Sequence, residues 1–198
     1  MTAPEIYRPK HNQFKRIDRD MDAQQIRPGK LMIEGLHSEG PNPELKEKLM
    51  LFGQLVGDWD ILEDRFYQPD GTQSLAKGQL HWGWILDGKA VQDVWMSIDE
   101  KTHKAIPEGT TIRFYDQNID AWHSIWISPN QGVVKTFVAH KVGNEIVLES
   151  TSADGNPVKW IFSEITADSF RWRSEESRDN GKTWTLKEEM QIRRAGRG

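Results

Sequence analysis

His140, Glu188, His81 and Asp93 are the side chains through which this sequence could do chemistry, because the strand pattern turns ionisable groups toward an apolar interior. A carboxyl set among Leu186, Met190 and Trp160 holds its proton to higher pH than one in water. An imidazole beside it titrates near neutrality, so His140 and Glu188 together would form an acid–base pair able to move a proton at pH 7. Lys135 and Lys141 stand in the opposite phase to His140, and Lys187 and Glu189 in the opposite phase to Glu188, which assigns both candidates to the inner face. His81 and Asp93, on consecutive strands, are a second candidate pair. His123 is a third candidate, with the outer wall as its plainer place. The bland alternative makes Glu188 the counter-ion of an internal Arg113 and lets it anchor the polar end of a ligand. Arg113 and Tyr115, two residues apart, share one face of their strand and are candidate ligand-binding residues.

Other chemistries are excluded or disfavoured. The 198 residues contain no cysteine, so disulfides, thiolate metal sites, iron–sulfur clusters and a cysteine nucleophile are ruled out. His81, His103, His123 and His140 stand singly, without the close spacing of a histidine metal site, and no metal is predicted. No Gly-x-Ser-x-Gly elbow, phosphate loop or dinucleotide fingerprint occurs. No cofactor is expected, with haem on one axial histidine as a minor alternative. The formal net charge is −4, and the 26 Lys and Arg are spread along the chain, which argues against nucleic acid as a partner. No stretch reaches the roughly 20 apolar residues of a membrane helix, and the first twenty residues lack the apolar segment of a secretion signal. No membrane association and a cytoplasmic address are the expectations.

Nine tryptophans fall at positions 59, 82, 84, 95, 122, 126, 160, 172 and 184, none in the first 58 residues. Aromatic rings bury large areas and offer flat faces. The plain reading is a stiff core, and the sharper one is a pocket for a flat ligand walled by Trp82, Trp84, Trp122, Trp126, Trp160 and Trp172.

The elements that would position these groups follow from period and turn chemistry. Residues 1–41 are polar, contain four prolines and show no sustained period, so they read as an arm. Its apolar residues, among them Ile6, Tyr7, Phe14, Leu31, Met32 and Ile33, would let it lie across a barrel mouth or form a homodimer contact. Asn42-Pro43-Glu44 reads as a helix cap, a proline at the first helical position and a first-turn acid, predicting a helix over 43–52 that buries Leu45, Leu49 and Phe52. From Asp58 the period becomes two. Turn signals recurring every ten to fifteen residues place strands near 58–68, 72–86, 89–98, 109–117, 121–128, 133–142, 145–152, 157–166, 169–178 and 182–193. Ten strands joined by short links make a meander, and closing the meander on itself removes its edges. The fold predicted is therefore all-β, one closed antiparallel barrel over 42–198 behind an N-terminal arm and a short helix.

Gly57-Asp58-Trp59, entering the first strand directly after that helix, resembles the Gly-x-Trp signature of lipocalins and the wider calycin superfamily of closed meander barrels, which includes fatty-acid-binding proteins and haem-binding nitrobindins. The stretch from Leu80 to Trp95 and the ending from Gly181 to Met190 are similar to uncharacterised bacterial lipocalin-like proteins. The resemblance implies a ligand cavity rather than one chemistry. It lacks the lipocalin disulfide and the glycine-rich continuation of nitrobindins. Ser177 to Trp184 also resembles the Asp-box, a hairpin brace in which Asp179 accepts backbone N–H groups and Gly181 takes a positive φ.

Three functions follow. The first is a barrel that encloses a small, largely apolar molecule, aromatic or terpenoid-like, and acts on it by cofactor-free acid–base chemistry of lyase, isomerase or cyclase type. The second is a carrier or sensor using the same cavity without catalysis. In the third, an interaction module, the tryptophans are core alone.

Overall fold

The computed structural model describes residues 30–196. Ile6, Tyr7, Phe14 and any dimer contact they would make lie outside that range. The described part of the arm is not without structure: α1 (Lys30–Leu36) is a short helix with a Lys30–Glu34 pair along one side, followed by the two-residue strand β1 (His37–Ser38). Leu31, Met32 and Ile33 are exposed on α1. At Asn42 the cap forms as its residue types dictate. The side-chain oxygen accepts the Glu44 N–H at 3.2 Å, Pro43 opens a 3-10 turn, and α2 (Lys46–Gly53) continues from it.

Ten strands then follow: β2 (Gly57–Tyr67), β3 (Gln73–Ile85), β4 (Ala90–Ile98), β5 (Ala105–Asp116), β6 (Ala121–Ser128), β7 (Val133–Val142), β8 (Glu145–Thr151), β9 (Pro157–Ser163), β10 (Ser169–Glu176) and β11 (Thr185–Arg194). Each pairs antiparallel with its neighbour in sequence, and β11 returns to pair with β2, from Glu188 opposite Phe66 to Arg194 opposite Trp59. The sheet is thus a closed meander with no free edge among these ten strands. β1 pairs only with the end of β3 that projects beyond β2.

One end of the barrel is plugged. Leu49 and Phe52 of α2, with Leu55 just beyond it, are fully buried against Trp59, Trp84, Trp122 and Phe170. Gly53 lets the helix sit this close, because a Cβ there would fall 2.4 Å from the Trp84 ring. Trp59 donates its indole N–H to the Leu55 carbonyl at 2.7 Å and carries the Arg194 guanidinium over its ring at 3.9 Å, joining the first and last strands beneath the helix.

Alternation holds through most strands and fails where bulges or rims interfere. Ile146 and Leu148 on β8, Trp160 and Phe162 on β9, and Phe170 and Trp172 on β10 all point inward. On β7 the predicted phase is reversed. Phe137 and Ala139 are the buried pair, while Val134, Thr136 and His140 lie outside. Lys135 and Lys141 share the inward phase but sit at the two rims, where a long side chain reaches water from an inward-directed Cβ. On β11 the alternation breaks at Lys187, since Glu188 pairs with Ser174 but Leu186 with Glu175. Trp184 precedes the strand and lies on the outer wall, with Lys159 Nζ 4.4 Å from its ring centroid.

The hairpin before β11 is braced internally. Asp179 accepts the Thr183 N–H at 2.8 Å and its hydroxyl at 2.6 Å, Ser177 Oγ accepts the Gly181 N–H at 2.7 Å, and Gly181 adopts φ of 88°. The Thr183 hydrogen bonds, with Ser177 adding a third, pull the Asp179 pKa down to about 2.

Candidate functional site

The end of the barrel opposite α2 holds a cavity of about 210 Å³. Five tryptophans wall it: Trp82 on β3, Trp95 on β4, Trp126 on β6, Trp160 on β9 and Trp172 on β10. The indoles brace one another, with Trp160 standing edge-on to Trp126 at 6.4 Å and to Trp172 at 5.3 Å, and tilted against Phe137 at 4.2 Å. Rings locked this way are a preorganised surface for a flat apolar molecule, because little side-chain freedom remains to be lost on binding. Gly109 on β5 makes room for one of them, since a Cβ there would meet the Trp126 ring at 2.3 Å.

The cavity floor is a buried ion pair. Arg113 on β5 donates to Asp93 on β4, and the two side chains are each only 3 % exposed. Thr111, opposite Asp93 in the β4–β5 register, also hydrogen-bonds the carboxylate. The guanidinium stacks over Trp82 at 4.4 Å on the cavity side and packs against Phe52 of the helix plug at 5.2 Å. Burial pushes the Asp93 pKa up and the Arg113 pKa down, while their mutual attraction opposes both shifts. The pair stands charged, because a guanidinium keeps its proton in proteins.

A second polar group sits in the wall. Glu188 on β11 lines the cavity, and behind it lies Asp64 on β2, 1 % exposed. Neither Asp64 oxygen has a regular hydrogen bond to a described residue, but the two carboxyls are close enough to shift one another. Burial raises Asp64 to about 7, with the adjacent Glu188 drawing it back. Burial, and then the Asp64 charge, raise Glu188 to about 8, against a smaller pull from Lys135 at the rim. Two carboxyls in this position cannot both ionise cheaply, so near neutrality they hold at least one proton between them. A carboxylic acid facing an apolar cavity at pH 7 can donate a proton, and its conjugate base can take one.

The remaining candidates go elsewhere. His140 is exposed on the outer side of β7, near the groove beside α2, and does not meet Glu188. His81 points away from Asp93 and hydrogen-bonds Asp58 on the outer wall at 2.7 Å. His123 pairs with Asp116 at 3.2 Å, also outside. No histidine is among the described residues that line the cavity. Tyr115 shares the inward phase of Arg113 but belongs to the plugged end, where its hydroxyl donates to Asp120. Trp84 and Trp122 also serve the plug, Trp122 edge-on to Phe52 at 5.0 Å. No cluster of three or more potential metal ligands occurs among the described residues.

Two members of the site escape a reading of the sequence. Trp95 stands in β4, where both phases contain large apolar residues. Asp64 is turned inward by a register shift between Ile61 and Asp64 that leaves Leu62 and Glu63 out of simple alternation. The one available signal is that Trp59 and Ile61 are apolar at alternate positions while Phe66 resumes the apolar face from an even position.

Comparison with known protein families finds no match, and no curated protein matches the chain. Among solved structures, the S-type phycobiliprotein lyase CPES from Guillardia theta is similar at 12% sequence identity and a TM-score of 0.48, over 73% of this chain and 89% of that one. A likeness of that degree assigns neither ligand nor reaction. No helix among the described residues is long and apolar enough to cross a membrane.

Proposed function

We propose that this protein binds a small, largely apolar, ring-containing molecule in the open half of its barrel and moves a proton on it with Glu188, without cofactor or metal. The observation that carries the reading is the Asp64–Glu188 pair, a proton-holding carboxyl couple set in the wall of a tryptophan-lined cavity. Structural packing alone does not call for a buried acid beside a half-buried one, since each loses solvation and only the rim Lys135 offers Glu188 a modest offset. Asp64 acts as the positioning group. Its charge holds the proton on Glu188, so that Glu188 is the acid in one direction and the base in the other, as an isomerisation or elimination requires. His140 and His81 have no part in this mechanism, and the floor pair Arg113–Asp93 fixes the shape of the cavity.

The test is deuterium transfer. The purified protein is incubated in D2O with a small-molecule extract, and mass spectrometry asks which compounds are retained and which gain deuterium. Retained compounds that gain label with the native protein and with His140→Ala, but at a rate roughly 10²–10⁴-fold lower with Glu188→Gln, support proton transfer by Glu188. Retention without labelling makes the barrel a carrier or sensor. If no compound is retained and none gains label, the reading is refuted.

A further inference from the structure

The outside of the barrel is of two kinds. On β8 to β11 the outward side chains are tied into ion pairs: Arg173 reaches Glu145 at 3.1 Å and Glu175 at 2.9 Å, Arg171 reaches Glu189 at 2.7 Å, and Lys159 reaches Glu149 at 3.5 Å. Apolar groups on that wall are covered, for Ile161, beside Arg173 in the register, is only 4 % exposed. On β4 to β7 the outward side chains change character. Ile112 stands opposite Ile125, Ile127 stands opposite Val134 in the next row, and Val94 and Phe114 extend the face along β4 and β5. Not one outward position over 92–96, 110–114, 123–127 and 134–138 is Asp, Glu, Lys or Arg. Val134 is 67 % exposed and Phe114 also lies open. Charge returns only at the margins, with Asp116 bonded to His123 at 3.2 Å toward the plugged end and Glu108 to Ser97 at 2.6 Å toward the mouth. An uncharged centre inside a polar rim is the anatomy of a protein interface.

We infer that a second copy of this chain docks on the β4–β7 wall, so that two barrels form a twofold dimer with wall facing wall. The backbone of these strands is paired on both sides within the closed barrel, so no edge is left for an added strand and only side chains can make the contact. A partner that brought charges to this wall would strip them of water without pairing them, so the partner's face must be uncharged as well. The chain itself supplies such a face. A twofold axis near Ile112 and Ile125 sets each apolar row against its equivalent, and two sheets packed this way keep their strands roughly aligned. A lipid surface is a poorer match, because the wall has no outward Lys or Arg to meet anionic headgroups. The area fits a small dimer. Four strands about 4.8 Å apart, over about six residues of each at about 3.3 Å, present roughly 400 Å² in plan. Two copies cover roughly 800 Å² before side-chain relief and rim are counted, which brings the contact to the lower end of specific interfaces, about 1,000–1,200 Å². A contact of that size holds a reversible dimer, with a Kd of about 1–100 μM.

Analytical ultracentrifugation of the full chain, from well below to well above that concentration range, tests the inference. The native chain should pass from monomer to dimer. The dimer should hold or tighten as sodium chloride is raised from about 0.05 to about 0.5 M, because an uncharged contact has no ion pairs to screen. Ile125→Lys, at the centre, should weaken it at least about a hundred-fold, and Val134→Lys at least about ten-fold. Val134 is exposed in the monomer, so its lysine variant folds even if the central one does not; circular dichroism checks both. Leu62→Lys, at an exposed apolar position on β2 away from this wall, should leave the dimer unchanged. A monomer at every concentration overturns the inference. So does a dimer that survives Val134→Lys in a folded chain, one that Leu62→Lys weakens equally, or one that salt dissolves, since another surface then holds it. Binding of the native chain to phosphatidylcholine vesicles that Val134→Lys abolishes would make a membrane the occupant and overturn it too.

Discussion

The carboxyl couple should make the protein less stable as the solution becomes alkaline, and the size of the effect can be worked out. Asp64 and Glu188 have folded-state pKa values of about 7 and about 8, raised by burial above the ordinary values of 3.8 and 4.5 that they regain on unfolding. A raised acid binds more protons folded than unfolded between its two pKa values. Its stabilising contribution is therefore complete below about pH 4 and is lost as pH rises toward 8. Each excess proton gives a slope of about 1.4 kcal/mol per pH unit, so a couple holding one to two protons loses roughly 3–6 kcal/mol between pH 5 and pH 8. For a domain of this size that is a fall in Tm of about 10–20 °C. Thermal unfolding followed by circular dichroism at pH 5, 6, 7 and 8 measures it. Other groups titrate in the same window, so the quantity to read is the difference between the native chain and the Asp64→Asn/Glu188→Gln double variant, in which this slope is absent. Parallel profiles for the two proteins would refute the argument, for they would mean that the couple is solvated and ionised without penalty.

Breaking the floor pair on one side, with Asp93→Asn or Arg113→Met, should destabilise by about 3–5 kcal/mol, while Asp93→Leu with Arg113→Met should recover most of the loss; denaturant titration checks both. Gly109→Ala should displace the Trp126 ring and cost about 1–3 kcal/mol through overpacking, with a change in intrinsic tryptophan fluorescence as its signature. Asp179→Ala should lower the melting temperature at neutral pH. The depressed Asp179 pKa makes this brace present above the ordinary aspartate range and lost as pH falls through about 2, so native and variant melting temperatures should converge there.

The closed meander was legible because its signals repeat: ten period-two stretches separated by turn residues, with a capped helix ahead of them, leave few other ways to bury one face of each strand. Of the candidate site, residue parity reaches only part. Glu188 stands among Lys187, Glu189 and Met190 on a strand whose inward phase is apolar, and it faces inward despite the break at Lys187. His140 came out reversed because the argument used Lys135 and Lys141 as markers of the outer face, and both sit at rims where inward lysines still reach water. Asp64 was hidden by a register shift, which depends on how β2 must twist against both β3 and β11 and is not written in residue type. Of the six tryptophans proposed as ligand contacts, four line the cavity and two, Trp84 and Trp122, lie at the plugged end. Trp84 is one alternation step from Trp82 and Trp122 two steps from Trp126, and parity places a residue on the inner face without saying at which end.

The boundary between the two ends runs through Arg113. On one side of Arg113 the interior is filled by Phe52 and its neighbours from α2, and on the other it is empty space walled by Trp82, Trp95 and Trp160. A charge at such a boundary is expensive unless paired, and replacing the pair by apolar residues is the change that usually costs a protein least. Retaining Arg113 and Asp93 therefore points to what the pair does for the open half. The guanidinium stacks on the Trp82 ring at 4.4 Å and so holds one wall of the cavity in place. Opposite it stands an acid couple able to exchange a proton. In the function proposed above, this charged floor lies beneath the space in which Glu188 meets the ligand. The plug, in turn, gives the guanidinium a rigid seat, for Phe52 of the helix announced by Asn42-Pro43-Glu44 packs against it at 5.2 Å.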